Sequence, residues 1–241
     1  MKRIICKSYE EVSLVGALVM AQQIYEKPNS VLGLATGSTP LGLYKALIQM
    51  HKRGDLDFSS VTTFNLDEYY PIPKSNDQSY DYFMWENFFS HLYIDRDNVH
   101  LPNGEADDPE RECQRYDAAI QAAGGIDMQL LGIGVNGHVG FNEPDELLAL
   151  HTHVTDLTQS TIEANARFFA SADEVPCRAL TMGMGNILSA RKILILISGE
   201  NKAPIVKQLF ADVITPQVPA SFLRLHHDVT YVLDEAAAQS L

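Results

Sequence analysis

The stretch LLGIGVNGHVGFNEP, residues 130–144, sets an apolar run directly before a turn crowded with glycine and polar side chains. Gly132, Gly134 and Gly137 satisfy a formal G-x-G-x-x-G. In a dinucleotide site that pattern leads from a strand into a helix whose N-terminus meets a pyrophosphate. No helical periodicity follows Gly137: the chain continues through Gly140 to Pro144. The dinucleotide match is therefore read as accidental. What remains is a flexible turn after a buried strand, presenting Asn136, His138, Asn142 and Glu143. Histidine is an acid and base near neutral pH, and a carboxylate five residues on can orient it.

Outward from this stretch, helix-like and strand-like segments alternate. A helical pattern over 10–26 places Val12, Val15, Leu18 and Val19 on one face, and SVLGLAT (30–36) reads as a buried strand. Thr39 is the expected N-cap of the next helix, with Pro40 at its first position and Gly54 at its stop. VTTFNLDEYY (61–70) reads as a strand, helices are expected near 79–91 and 109–123, and IDMQLLGIG (126–134) as a strand. Beyond these come a helix near 181–189, the strand KILILIS (192–198), a helix from about 201, and short strands near 218–224 and 229–234. This alternation predicts an α/β fold: βαβ units with a mostly parallel sheet covered on both faces.

Composition excludes several classes of function. The chain has 241 residues, 46% of them hydrophobic, enough for a substantial core without division. Its formal net charge of −13, with no Lys/Arg run, opposes nucleic acid and anionic membranes as partners. Cys6, Cys113 and Cys177 form no C-x-x-C pair, and the N-terminal apolar run is too short for a signal peptide. A cytoplasmic protein is expected. His151 and His153 share a strand face but lack a third ligand, so no metal is assigned.

Ligands of such sheets gather beyond the strands' carboxyl ends, and two further turns there carry chemistry. Thr36, Gly37, Ser38 and Thr39 lie between a strand and a helix start, where unpaired N–H groups and the helix dipole favour an anion such as a phosphate. An ordinary capped turn reads equally well. A Walker loop is excluded, because its lysine is missing. Asp67 and Glu68 end a strand, and alternation sends them to opposite sides, so one faces a pocket. A partly desolvated carboxylate there can take a proton from carbon; a solvated acidic strand end is the alternative. Arg167 and Lys202 are cations suited to a phosphate. Residues 156–177 are polar, as a movable cover would be.

Together, LATGSTP (34–40), FNLDEYY (64–70) and GIGVNGHVGFNEP (132–144) closely resemble the glucosamine-6-phosphate deaminase (isomerase) family, as do ANARFF (164–169) and the lysine after LISG. The resemblance spans nearly the whole chain. It implies one domain over 1–241 with a modified Rossmann-like sheet, a mobile lid near 156–177, and no redox cofactor. The implied reaction converts D-glucosamine 6-phosphate and water to D-fructose 6-phosphate and ammonia.

By the same resemblance, Asp67 is the base that moves the C2 proton to C1. His138 opens the pyranose ring, with Glu143 and Asn136 as its partners. Gly37 to Thr39, Arg167 and Lys202 form the phosphate clamp. Some members carry aspartate where this chain has Asn136, which removes a charge beside His138. Longer hexameric, allosteric members extend beyond VLDEAAAQSL (232–241), so a shorter, unregulated monomer or small homo-oligomer is expected. The nearest rival, 6-phosphogluconolactonase, would favour arginine after Asp67–Glu68, where this chain has Tyr69. A sugar-phosphate sensor would not need Asp67, His138 and Glu143 together.

Overall fold

A computed structural model describes residues 1–158, 162 and 175–241. A seven-stranded sheet is built from β1 (Lys2–Cys6), β2 (Val31–Leu34), β3 (Thr62–Asn65), β5 (Val99–His100), β6 (Met128–Leu131), β9 (Lys192–Ile197) and β10 (Val229–Asp234). Its order is β1-β10-β9-β6-β2-β3-β5, and every neighbouring pair is parallel. The remaining strands, β4 (Asp67–Tyr70), β7 (His153–Asp156) and β8 (Arg178–Thr181), form a small antiparallel sheet ordered β4-β8-β7.

Both faces of the sheet's central strands are buried, which is why β2, β6 and β9 read as near-continuous apolar runs. In β9, Leu194 and Leu196 join one core while Ile193, Ile195 and Ile197 join the other. Each such side chain contributes about 1.5–3 kcal/mol on full burial. The leucine face is covered by α1 (Tyr9–Glu26), α2 (Ser38–Lys52) and α3 (Tyr80–Asn87). The isoleucine face is covered by α4 (Pro109–Ala122), α5 (Met184–Leu188), α6 (Ala203–Leu209) and α7 (Glu235–Ala238).

The α/β expectation holds, with local corrections. The α1 face turned inward comprises Val12, Gly16, Ala17, Met20, Ala21 and Ile24, whereas Leu18 is exposed. Helix α2 begins at Ser38 and is capped by Gly37, so Thr39 and Pro40 lie inside its first turn. The stretch 61–70 is two strands: β3 and β4 part at Leu66 and enter different sheets. Thr181 ends β8 instead of opening a helix, and Pro219–Leu225 is a 3-10 helix where a strand was expected. Strand β1 was not expected from the sequence: its apolar run is short, and as an edge strand it exposes Lys2, Arg3 and Ile5.

The topology locates a crevice. From β2 the chain winds outward through β3 to β5, then returns to place β6 on the other side of β2. Because these strands are parallel, the turns after β2, β3, β6 and β9 all emerge at one edge of the sheet. The reversal between β2 and β6 is the topological switch point, where open α/β sheets bind ligands.

Candidate functional site

The turn after β6 is shaped by close approach to its own histidine. A Cβ on Gly134 would lie 2.3 Å from His138 Cε1, so only glycine admits the imidazole there. The Gly134 N–H donates to the His138 carbonyl at 3.0 Å and the Gly137 N–H to the Gly134 carbonyl at 3.0 Å, closing a tight turn. No helix follows Gly137, as the sequence predicted; Val139 and Asn142 form an isolated antiparallel bridge instead.

Asn136, His138 and Glu143 meet in this turn. The Asn136 amide donates to Glu143 Oε2 at 2.6 Å, and Asn136 Oδ1 accepts the His138 backbone N–H at 3.2 Å. His138 Nδ1 stands 3.3 Å from Glu143 Oε1, within ion-pair reach, yet it is not directed for a hydrogen bond. Burial pushes the Glu143 carboxyl upward, but the neighbouring His138 and the Asn136 amide outweigh it and hold Glu143 below the usual range. Asn142, presented as part of the polar set, is instead buried scaffolding: its amide donates to the carbonyls of Val139 (2.9 Å) and Met182 (2.8 Å).

Asp67 and Glu68 separate as alternation predicts, into different roles. Glu68 caps α3: its carboxylate accepts the backbone N–H groups of Tyr80 (2.8 Å) and Asp81 (2.9 Å), and that of Tyr69 (2.9 Å). Asp67 is buried on the other side, with no hydrogen-bond donor on its carboxylate among the described residues. Burial, followed by the charge of Glu68, pushes the Asp67 carboxyl up to about 8. Burial also raises Glu68, to about 7, against the pull of its three backbone donors.

The Asp67 strand end and the His138 turn meet at Gly140. Gly140 has φ +59°, and a Cβ placed on it would lie 3.3 Å from Asp67 Oδ2 and 2.9 Å from Thr181 Oγ1. The turn bearing His138 therefore rests against the Asp67 carboxylate. Phe141 packs on the same strand, its ring centroid 5.8 Å from Tyr69 and stacked at 6.2 Å on Tyr80.

The turn after β2 supplies an anion-ready helix end. Gly37 (φ +100°) leads into α2, and no side chain caps its first-turn N–H groups. Thr36 and Thr39 are half-buried, while Gly37 and Ser38 are exposed. Lys202 reaches in from the turn after β9: its Nζ donates to the Ile133 carbonyl at 2.6 Å, at the start of the His138 turn, and burial lowers its pKa. Arg167 and most of the 156–177 segment lie outside the described residues.

A cavity of about 940 Å³ lies away from this convergence, lined by Cys113, Asp117, Gln121, His151, Thr152 and Asn186. None of the candidate residues lines it, and Asp117 there is already engaged by the Thr152 N–H and the Asn186 amide. The strand-end crevice, where the polar groups converge, is the stronger site. Among the described residues, no group of three or more His, Cys, Asp or Glu side chains is arranged to hold a metal ion. No helix among them is long and apolar enough to cross a membrane.

Sequence reasoning missed Thr181 and Gly140, which tie the turns together. Thr181 lies far along the chain and pairs with Asp67 only through the small second sheet.

Comparison with known proteins places the family. Residues 11–232 match the family described as glucosamine-6-phosphate isomerases/6-phosphogluconolactonase. The chain is 58% identical over 238 residues to a glucosamine-6-phosphate deaminase of Thermoanaerobacter sp. (strain X514), covering 99% of this chain and 94% of that one. It is 57% identical over 241 residues to one of Clostridioides difficile (strain 630), covering 100% and 97%. A solved monomeric glucosamine-6-phosphate deaminase superposes with a TM-score of 0.96 at 47% identity, covering all of both chains. The 6-phosphogluconolactonase of Thermotoga maritima shares the fold at a TM-score of 0.77 and 22% identity, covering 97% of this chain and 99% of that one. This chain belongs to the glucosamine-6-phosphate isomerase/6-phosphogluconolactonase family.

Proposed function

We propose that this chain is a glucosamine-6-phosphate deaminase, converting D-glucosamine 6-phosphate and water to D-fructose 6-phosphate and ammonia in amino-sugar catabolism. The observation that supports this reading is the seat of Gly140, two residues beyond His138, against the Asp67 carboxylate.

A closed pyranose has no carbonyl to acidify the C2–H bond, so the ring must open first. His138, with Glu143 and Asn136 as its partners, shuttles the proton between the C1 hydroxyl and the ring oxygen. Opening unmasks an aldehyde at C1. Asp67 as carboxylate then removes the C2 proton while O1, taking on the electron pair from C2, picks up a proton from solvent, giving an enol. Its return of a proton to C1 leaves an iminium at C2. Water adds to that carbon, ammonia departs, and the ketone remains. A carboxylate without hydrogen-bond donors is a stronger base than one in water, which suits abstraction from carbon.

The first turn of α2, from Gly37 to Thr39 with Thr36 beside it, binds the phosphate through backbone N–H groups and the helix dipole. Lys202 and Arg167 add positive charge, and Lys202 exchanges its Ile133 contact for a phosphate oxygen. The segment 156–177 serves as the lid of a single domain spanning 1–241. The chain works in the cytoplasm without a redox cofactor or metal. The solved monomeric relative supports a monomer over a small homo-oligomer, which sedimentation of the purified protein tests. Parallel assays of ammonia release from glucosamine 6-phosphate and of 6-phosphogluconolactone hydrolysis test the reaction. The first activity should dominate; lactone hydrolysis alone would overturn the reading.

A further inference from the structure

The two stations sit on different supports: Asp67 on β4 of the small sheet, His138 in the turn after β6 of the large one. Something must hold them at a working separation, since one ångström of misplacement is costly to catalysis. Residues Thr181 and Met182, at the end of β8, form the link. Thr181 stands directly opposite Asp67 in the antiparallel pair of β4 and β8 and is fully buried. Residues so paired project to the same face, with Cβ atoms about 5 Å apart.

The Thr181 hydroxyl accepts the Phe141 backbone N–H at 3.1 Å, anchoring the His138 turn three residues beyond the imidazole. The same hydroxyl and Asp67 Oδ2 flank Gly140. Met182 completes the crossbar: its N–H donates to the Leu66 carbonyl at 2.8 Å, next to Asp67, and its carbonyl accepts the Asn142 amide at 2.8 Å.

We propose that Thr181 is a positioning residue whose hydroxyl fixes the His138 turn relative to the Asp67 carboxylate. It touches neither reacting carbon nor phosphate in this role. Its removal should therefore disturb the proton transfers while leaving the grip on the phosphate, made by other turns, intact.

The test compares the full-length parent with Thr181→Val, which keeps the shape and loses the hydroxyl, and Thr181→Ser, which keeps the hydroxyl. Ammonia release is measured across substrate concentrations, below the temperature at which each variant starts to unfold. Thr181→Val should lower kcat at least tenfold with KM within threefold of the parent, and Thr181→Ser should restore kcat to within threefold. A Thr181→Val enzyme within twofold of the parent would overturn the proposal. So would a serine variant as impaired as the valine one, or a KM that rises in step with the loss of kcat.

If Thr181→Val does not fold, Gly140→Ala intrudes on the same junction from the other side. It should show the same kcat-selective loss, and full activity would overturn the proposal. The inference rests on the deaminase reading, and the parent keeps the two distinguishable. An inactive parent refutes that reading, whereas an active parent with undiminished variants refutes only the role of Thr181.

Discussion

Replacing Asp67 by asparagine should make the protein more stable at neutral and alkaline pH, even as it removes the proposed base. An unfolded aspartate titrates near 3.8, while burial beside Glu68 raises the folded carboxyl to about 8. Between those values the folded chain retains a proton that the unfolded chain has released. The stabilising effect of the raised pKa is thus fully present below pH 3.8 and is lost as pH rises through about 8. Each pH unit of that window is worth about 1.4 kcal/mol, which gives about 6 kcal/mol across it.

Asparagine is nearly isosteric with the neutral acid and cannot ionise. Glu68 is present in both proteins, so its own titration largely cancels in the comparison. Urea unfolding of parent and Asp67→Asn at intervals from pH 4 to 9 reads the effect. The variant's advantage should be small near pH 4 and grow until about pH 8. A difference that stays within about 1 kcal/mol over the whole range would mean that Asp67 ionises freely in the folded chain. The case for a dry, strongly basic carboxylate would then be refuted.

Three other perturbations probe separate parts of the site. His138→Gln should slow ring opening, so binding of an acyclic amino-sugar phosphate should suffer less than that of the cyclic substrate; equal losses in the two titrations would argue against the assignment. Gly134→Ala places a methyl 2.3 Å from His138 Cε1 and should cut kcat at least tenfold in a folded protein, checked by steady-state assay beside circular dichroism. Lys202→Met should raise KM about tenfold with a smaller change in kcat, since a cation near the phosphate is worth about 1–2 kcal/mol. An unchanged KM would remove Lys202 from the clamp.

The large sheet was legible because its strands are buried on both faces: VLGL, MQLL and KILILI announce themselves without alternation. The small sheet was not. Strand β7 (HVTD) is polar and partly exposed, β4 carries two buried carboxylates, and neither offers a strong apolar signal. Its existence explains why 61–70 divides at Leu66 and why Thr181 ends a strand instead of opening a helix. For the proposed site, Asp67, His138, Glu143 and Asn136 could be nominated from residue type and turn position. Their pairing could not, because the Gly140–Asp67 contact joins residues 73 apart in the sequence through backbone conformation. Asn142 misled for a related reason: its amide looks available in a string of letters, yet both its hydrogen bonds are spent holding the turn.

Crystallography with a reduced, open-chain amino-sugar phosphate, which lacks the C1 carbonyl and cannot react, tests the central claim most directly. The account predicts the phosphate on the backbone N–H groups of Gly37 to Thr39 near Lys202, with C1 and C2 beside Asp67 and O5 towards His138. A ligand seated elsewhere, or with Asp67 and His138 both remote from those atoms, would contradict it.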